Sequence, residues 1–350
     1  MGFPYTNVSD SGRGIDRYLK VLSDNLKTIH NKIDIIESGV VRPKISNLLV
    51  SILELIRKTI KTDSKIYHAV DPMGFFILKL FFKKPVVLTI HDTIPLSGGI
   101  KENGPRVFLT KFLMKFGIRF SERIIVPFEY TKDELISIFH KRPSKIMVVK
   151  YGIDFPNLEH NTLRLNFDPH NTNNFKILFI GSGNPNKRGL EMVFRTYKEV
   201  KQNYEVSLTI VGKREEIMIT LDKFEELRDD VDITIHDFVP EDHLYEFISE
   251  YDAFLYPSKL GFSFLVVQAM FVGVPTIVAN TRDMNEYVGD SGFCCSPLDL
   301  NCYVSAIIQL INNQSVRNKI VRNGVEKAQS FSGLLMANNT NVVYNSMKEN

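Results

Sequence analysis

The strongest constraint in this 350-residue chain is an alternation: short β-branched runs are separated by longer stretches of helical periodicity from end to end. In the first half the runs are Ile33–Glu37, Ile66–Val70, Val86–His91, Arg123–Pro127 and Ile146–Lys150. In the second they are Lys176–Gly181, Val206–Gly212, Asp232–His236, Asp252–Pro257 and Pro275–Ala279. Amphipathic stretches such as Ile15–Ile29, Pro105–Phe120, Leu190–Val200 and Leu244–Glu250 lie between them. Several runs are apolar on both alternating faces, as strands covered by helices on both sides must be. A βαβα order repeated twice predicts an α/β protein with two doubly wound, Rossmann-like parallel sheets. Ligands of such sheets bind at the carboxyl ends of the strands, so two facing sheets imply an active-site cleft between the domains.

The length agrees, because a single core stops growing at about 250–300 residues. The segment 157–174 is rich in Asn, has Pro156 and Pro169 beside or within it, and shows little apolar periodicity, which suits a hinge. The predicted division is 1–160 as an N-terminal domain, 161–174 as linker and 175–332 as a second domain. A C-terminal helix over 333–350 completes it and can return to the first domain. The net charge of +3 conceals an asymmetry: residues 1–150 carry 25 Lys and Arg against 14 Asp and Glu, and the remainder carries 18 against 26. A basic half joined to an acidic half suggests that the two domains face different partners.

Cys294, Cys295 and Cys302 fall in one short stretch with no zinc-ligand spacing, and read as buried thiols of a reducing compartment. The opening residues show no charged segment followed by an apolar one, so no signal peptide is visible. The most apolar stretch, Ile45–Ile60, contains Glu54, Arg57 and Lys58 at helical spacing and reads as an amphipathic helix instead of a membrane span. The expectation is a cytoplasmic protein, peripheral at most to the membrane.

Four turns could carry chemistry. After the strand ending at Tyr256 comes a turn with Ser258 and Gly261, then an apolar helix near Phe262, whose free N–H groups and dipole would suit a phosphate. The bland reading is a tight turn before a buried helix. The run Phe179–Gly189 contains Gly181 and Gly183 for close backbone approach, with Lys187 and Arg188 at the start of a helix. Cations there oppose the dipole, which favours an anionic ligand over a purely structural turn. It lacks the Gly-Lys-Ser/Thr ending of a P-loop. His91 and Asp92 close an apolar strand, where a substrate would be handled and where a lone His is also often a strand cap. The fourth, Ser11–Tyr18, is a glycine turn opening a helix without the third glycine of a dinucleotide fingerprint.

The run from Asp237-Phe-Val-Pro through Asp252–Ser258, Gly261-Phe262, Ala269-Met270, Gly273–Pro275, Glu286, Val288–Asp290 and Pro297–Asp299 resembles the donor domain of the family 4 retaining glycosyltransferases. The glycine loop before Arg17-Tyr18, His91-Asp92, Val126–Leu135 and Tyr151–Asp154 follow in the order of that family's first domain. The resemblance implies the GT-B architecture and transfer of a sugar from a nucleotide-sugar to a glycan or lipid-linked acceptor, with retention of configuration. It implies diphosphate binding by Lys187 and contact of His91 with the donor sugar. It also implies donor contacts from Gly12, Gly14, Gly181, Ser182, Arg188, Ser258, Gly261, Phe262, Ser263, Phe264 and Gln268. Backbone donors and a lysine stabilise a diphosphate leaving group, so no metal or other cofactor is expected.

The departures are specific. The family's paired glutamates fall on Leu260 and Gln268, its arginine before the lysine on Ser182, and a loop glycine on Asp16. The chain begins almost on the first-domain loop, so the first strand is expected to be largely missing. These changes keep open a catalytically weak or inactive relative that binds nucleotide-sugar or glycan as a partner subunit. Nucleic acid is not an expected partner, since no recognition motif is present and the aromatics sit mainly in apolar helical stretches. The segments Phe75–Lys84 and Lys111–Phe120 combine aromatic and basic residues at helical spacing. They read either as sheet-covering helices with basic outer faces or as a surface for anionic membrane.

Overall fold

A computed structural model describes residues 2–6, 13–29, 34–38, 45–62, 64–93, 96, 104–156, 174–181, 189–259 and 261–347. They form two compact units, Met1–Asp154 with Phe331–Asn350, and Phe155–Ser330. The segment read as linker, 161–174, lies outside the described residues except for Asn174.

The first unit runs β1 (Gly2–Thr6), α1 (Arg13–Ile29), β2 (Asp34–Ser38), α2 (Ile45–Ile60), β3 (Tyr67–Ala69), α3 (Pro72–Phe81), β4 (Val86–Thr89), α4 (Pro105–Phe120), β5 (Arg123–Val126), α5 (Glu129–Phe139) and β6 (Ile146–Val148). Its strands are parallel in the order β2-β1-β3-β4-β5-β6. The first strand is therefore present, contrary to expectation: Gly2–Thr6 pairs with β2 along its length and with β3. Five residues with a proline are too few to register as an apolar run, although their backbone completes the sheet.

Alternate strand residues enter opposite cores, the physical consequence of burying both faces. Val87, Ile125 and Val149 pack with Tyr18, Leu22 and Leu26 of α1 on one side. Val86, Leu88, Ile124 and Val126 pack with Phe75 and Leu78 of α3 and Met114 and Ile118 of α4 on the other.

The second unit runs β7 (Phe175–Ile180), α6 (Leu190–Lys201), β8 (Val206–Val211), α7 (Arg214–Leu221), β9 (Ile233–His236), α8 (Leu244–Ser249), β10 (Ala253–Tyr256), α9 (Phe264–Phe271), β11 (Thr276–Ala279), α10 (Arg282–Tyr287), β12 (Phe293–Cys295), α11 (Leu300–Asn312) and α12 (Gln314–Gln329). These parallel strands are ordered β12-β11-β10-β7-β8-β9. Buried Asp252 fastens β10 to β7, its carboxylate accepting the Lys176 N–H at 2.7 Å.

The chain then returns to the first unit as α13 (Gly333–Asn345). Met336, Ala337, Val343 and Tyr344 join the core around α1. Gly333 permits this approach, since a Cβ there would lie 2.3 Å from Asp154 Oδ1 and 2.6 Å from Asn25 Nδ2.

The cysteine reading requires correction. Cys295, closing β12, is disulfide-bonded to Cys302 in the first turn of α11, with Cα atoms 5.6 Å apart. Asp299 caps α11 by accepting the Cys302 N–H, which turns that cysteine back towards the strand end. Cys294 alone is a free thiol, half-buried and with its pKa raised by burial. Among the described residues, no helix is long and apolar enough to cross a membrane.

Candidate functional site

In the second unit the strand order reverses between β7 and β10: β8 and β9 extend one way, β11 and β12 the other. A doubly wound sheet opens its ligand crevice at such a point, beyond the carboxyl ends of the strands. The turns following these two strands meet there. Gly189, which precedes α6, has φ +74°, and a Cβ on it would lie 2.2 Å from the Pro257 carbonyl oxygen. A Cβ on Gly212, after β8, would lie 2.2 Å from the Gly181 carbonyl oxygen. Only glycine allows these backbones to close on one another. Ser258 is fully buried beside them.

Gly261 has φ +85°, and a side chain there would collide with the Asp283 carboxylate. That carboxylate accepts the Phe262 N–H through Oδ2. Through Oδ1 it accepts the Thr281 hydroxyl at 2.6 Å and the Met284 N–H at 3.0 Å. Ser263 caps α9, its Oγ taking the Leu265 N–H at 3.3 Å and its carbonyl the Val266 N–H at 3.2 Å. The Phe262 ring packs against Tyr287 and Phe264, with centroids 4.4 and 5.0 Å away. The cradle predicted to offer free N–H groups thus has three of them engaged within the protein. An anion arriving at Phe262 would exchange with Asp283, a residue the sequence reading did not single out.

Gln268, one turn into α9, is wholly buried, yet neither Nε2 nor Oε1 has a hydrogen-bond partner among the described residues. Buried amides are ordinarily bonded, and this one can donate two hydrogen bonds and accept two.

In the first unit, His91 follows β4 at its carboxyl end. Its Nδ1 is 2.9 Å from the Tyr151 hydroxyl and the two rings stack with centroids 5.9 Å apart. Tyr18 of α1 meets both rings edge-on, at 5.1 Å from His91 and 5.7 Å from Tyr151. Two aromatic walls and the Tyr151 hydroxyl orient the imidazole. Its buried Nε2 has no partner among the described residues. Burial lowers the His91 pKa to about 4, against a smaller opposing effect of the Val70 backbone, so the ring is neutral at pH 7. Behind it His68 joins Tyr344 through Nδ1 at 2.7 Å and Thr89 through Nε2 at 2.6 Å. Thr89 also meets the Tyr18 hydroxyl at 3.3 Å. Burial, reinforced by the nearby His91, lowers the His68 pKa to about 3.

Thus Gly181, Ser258, Gly261, Phe262, Ser263, Phe264 and Gln268 fall within one unit around the reversal of its strands, and His91 stands in the other. Gly14 lies exposed in the first turn of α1, where an added Cβ would meet nothing within 4 Å, and Asp16 is exposed in the same turn. Gly12, Ser182, Lys187, Arg188 and Leu260 lie outside the described residues. Tyr18 and Tyr151 beside His91, and Asp283 beside Gly261, carried no individual signal in the sequence; the two tyrosines stood only as parts of motifs.

Residues 174–313 match the family model described as glycosyl transferases group 1, and residues 15–155 match that of glycosyltransferase family 4. The O-antigen chain mannosyltransferase B of Escherichia coli is 31% identical over 96 residues, 27% of this chain and 25% of that protein. The capsular polysaccharide biosynthesis glycosyltransferase CapM of Staphylococcus aureus is 25% identical over 254 residues, 69% of this chain and 66% of that protein. The match therefore spans a quarter of the first relative and just under two thirds of the second. Anabaena Alr3699/HepE, solved in complex with UDP and glucose, superposes with a TM-score of 0.74 at 14% identity, covering 99% of this chain and 100% of that one.

Proposed function

Because the chain belongs to the group 1, family 4 glycosyltransferases and has their GT-B fold, we propose that it transfers a sugar from a nucleoside diphosphate sugar to a glycan or lipid-linked acceptor with retention of configuration. The observation that carries this reading is Gln268: a buried, unpartnered amide one turn into α9, the helix after β10. A buried donor–acceptor pair of this kind is well suited to the vicinal hydroxyls of a ribose. Gly261 and the start of α9 would take the diphosphate, with Lys187 and Arg188 adding positive charge as the leaving group develops its own. The reaction then needs no divalent metal. His91, held neutral and oriented by Tyr151, has Nε2 available for a hydroxyl of the transferred sugar.

A second reading draws on Leu260 and Gln268, which stand where the family carries glutamates. A relative without those charges could bind donor and transfer slowly or not at all. The test is release of nucleoside diphosphate from a panel of nucleotide-sugars, with His91→Ala and Lys187→Ala alongside. Turnover of at least one donor, lost in both variants, is the expected result. No turnover of any donor, with glycan binding intact in both variants, would establish the second reading instead.

A further inference from the structure

We propose that the outer surface of α3 and α4 docks the protein onto a bilayer bearing anionic headgroups, a role independent of the reaction proposed above. The inner side of α4 buries Leu113, Met114, Gly117 and Ile118, of which Met114 and Ile118 pack in the core with β4 and β5. Gly117 brings the helix so close to β4 that a Cβ would lie 2.6 Å from Leu88 Cδ2. The other side is more open. It carries Phe108, Phe112, Phe116 and Phe120 at intervals of four, which forms one row along a helix; Phe116 is partly buried against the core, its ring centroid 6.4 Å from that of Phe75, and the other three are exposed. Phe108 is 75% exposed, Phe112 49% and Phe120 51%. Phe76 of α3 widens the row, with its ring centroid 6.4 Å from that of Phe112 and 5.0 Å from that of Phe116. Leu80 and Phe81 continue it in the open at the end of α3.

Cations flank the rings. Lys111, Lys115 and Arg119 form the adjacent row of α4 at the same spacing, and Lys83 follows α3. Neither helix contains an Asp or Glu. Lys79 is satisfied by Glu122, whereas Lys83, Lys111 and Lys115 make no ion pair among the described residues.

This combination discriminates between partners. A second copy of the chain, joined face to face, would oppose two basic rows with no carboxylate to answer them. An acidic soluble protein would meet the cations and leave the rings in water. An anionic bilayer meets both, with the rings at the boundary of headgroup and acyl chain and the cations at the phosphates.

The test is co-sedimentation of the full chain with vesicles of phosphatidylcholine alone and of equal parts phosphatidylcholine and phosphatidylglycerol, at low and high salt. The expected result is binding to the anionic vesicles that weakens with salt. Lys111→Gln/Lys115→Gln should weaken it about fivefold per lysine, and Phe108→Ser/Phe112→Ser should reduce the salt-resistant part, with melting temperatures unchanged. Equal binding to both vesicles, no binding, or variants that bind as the parent does would each overturn the proposal. So would a concentration-dependent dimer, seen by light scattering, that disappears in Phe108→Ser/Phe112→Ser.

Discussion

Replacing Gln268 by Met separates stability from ligand binding in a way that few core substitutions do. The two side chains are close in length and volume, so packing within α9 and its neighbours changes little. The apo protein keeps two amide atoms buried without partners. An unsatisfied buried polar group costs about 1–3 kcal/mol. Removing both, and allowing for imperfect repacking around sulfur, should stabilise the second unit by about 2 kcal/mol. In a unit of this size that raises the melting temperature by about 4–8 °C.

Binding should move the opposite way. Two hydrogen bonds to ribose hydroxyls, each contributing about 0.5–1.5 kcal/mol net, would be lost, weakening nucleoside diphosphate binding by about 5- to 150-fold. Thermal unfolding without ligand and titration calorimetry with the nucleoside diphosphate of the donor that turns over read the two effects separately. A variant that melts below the parent, or that binds that nucleoside diphosphate equally well, would refute the reasoning, because Gln268 would then be an ordinary satisfied core residue. Gln268→Glu supplies the sign control. An unpartnered buried carboxylate disfavours the folded apo state, so this variant should melt lower than the parent.

Four further outcomes are expected. The depressed pKa values of His68 and His91, about 3 and about 4, mean that the unfolded chain takes up their protons first as pH falls below about 6.5. Stability is then present above that pH and lost on acidification. From pH 7 to 5 each contributes a loss of about 2 kcal/mol, and urea unfolding of His68→Gln should show a pH dependence shallower by that amount. Tyr151→Phe removes the hydroxyl that meets His91 Nδ1, and should lower kcat by about 2- to 13-fold with donor KM little changed. Reducing the Cys295–Cys302 bond, which closes a seven-residue separation, should destabilise the protein by about 2 kcal/mol; alkylation should count one thiol in the native oxidised chain and three after reduction and unfolding. Gly261→Ala must displace Asp283 and adopt φ +85°, so melting temperature and nucleoside diphosphate affinity should both fall.

Strands of β-branched apolar residues announce themselves, and all ten runs read from the sequence became strands. The two that did not register explain the limit. In β1, Gly2–Thr6 owes its place to backbone pairing with β2 and β3 instead of to an apolar pattern. In β12, Phe293–Cys295 is a three-residue edge that pairs only with β11. Sequence spacing also hid the disulfide, since Cys295 and Cys302 approach only because the cap at Asp299 folds the start of α11 back on the strand. Partners remote in sequence were hidden for the same reason: Tyr151 is 60 residues from His91, and Tyr344 is 276 from His68.

Positions at strand ends were legible because a βα turn is local; what each polar side chain bonds to depends on the assembled fold. That difference isolates the functional candidates. Several buried hydroxyls, including Thr131 in α5, Thr196 in α6 and Thr220 in α7, also lack a partner among the described residues. They sit inside helices whose other atoms serve packing, and each leaves one small group unsatisfied. Gln268 leaves an entire amide unsatisfied one turn into α9, the helix that follows β10, and His91 leaves Nε2 so just beyond the carboxyl end of β4. In the same fold His68 uses both ring nitrogens, and buried Asp252 is bonded across strands. A chain that satisfies those groups had the means to satisfy Gln268 and His91 as well. Their open hydrogen-bonding capacity, placed where doubly wound sheets receive ligands, is what separates them from structural polar residues.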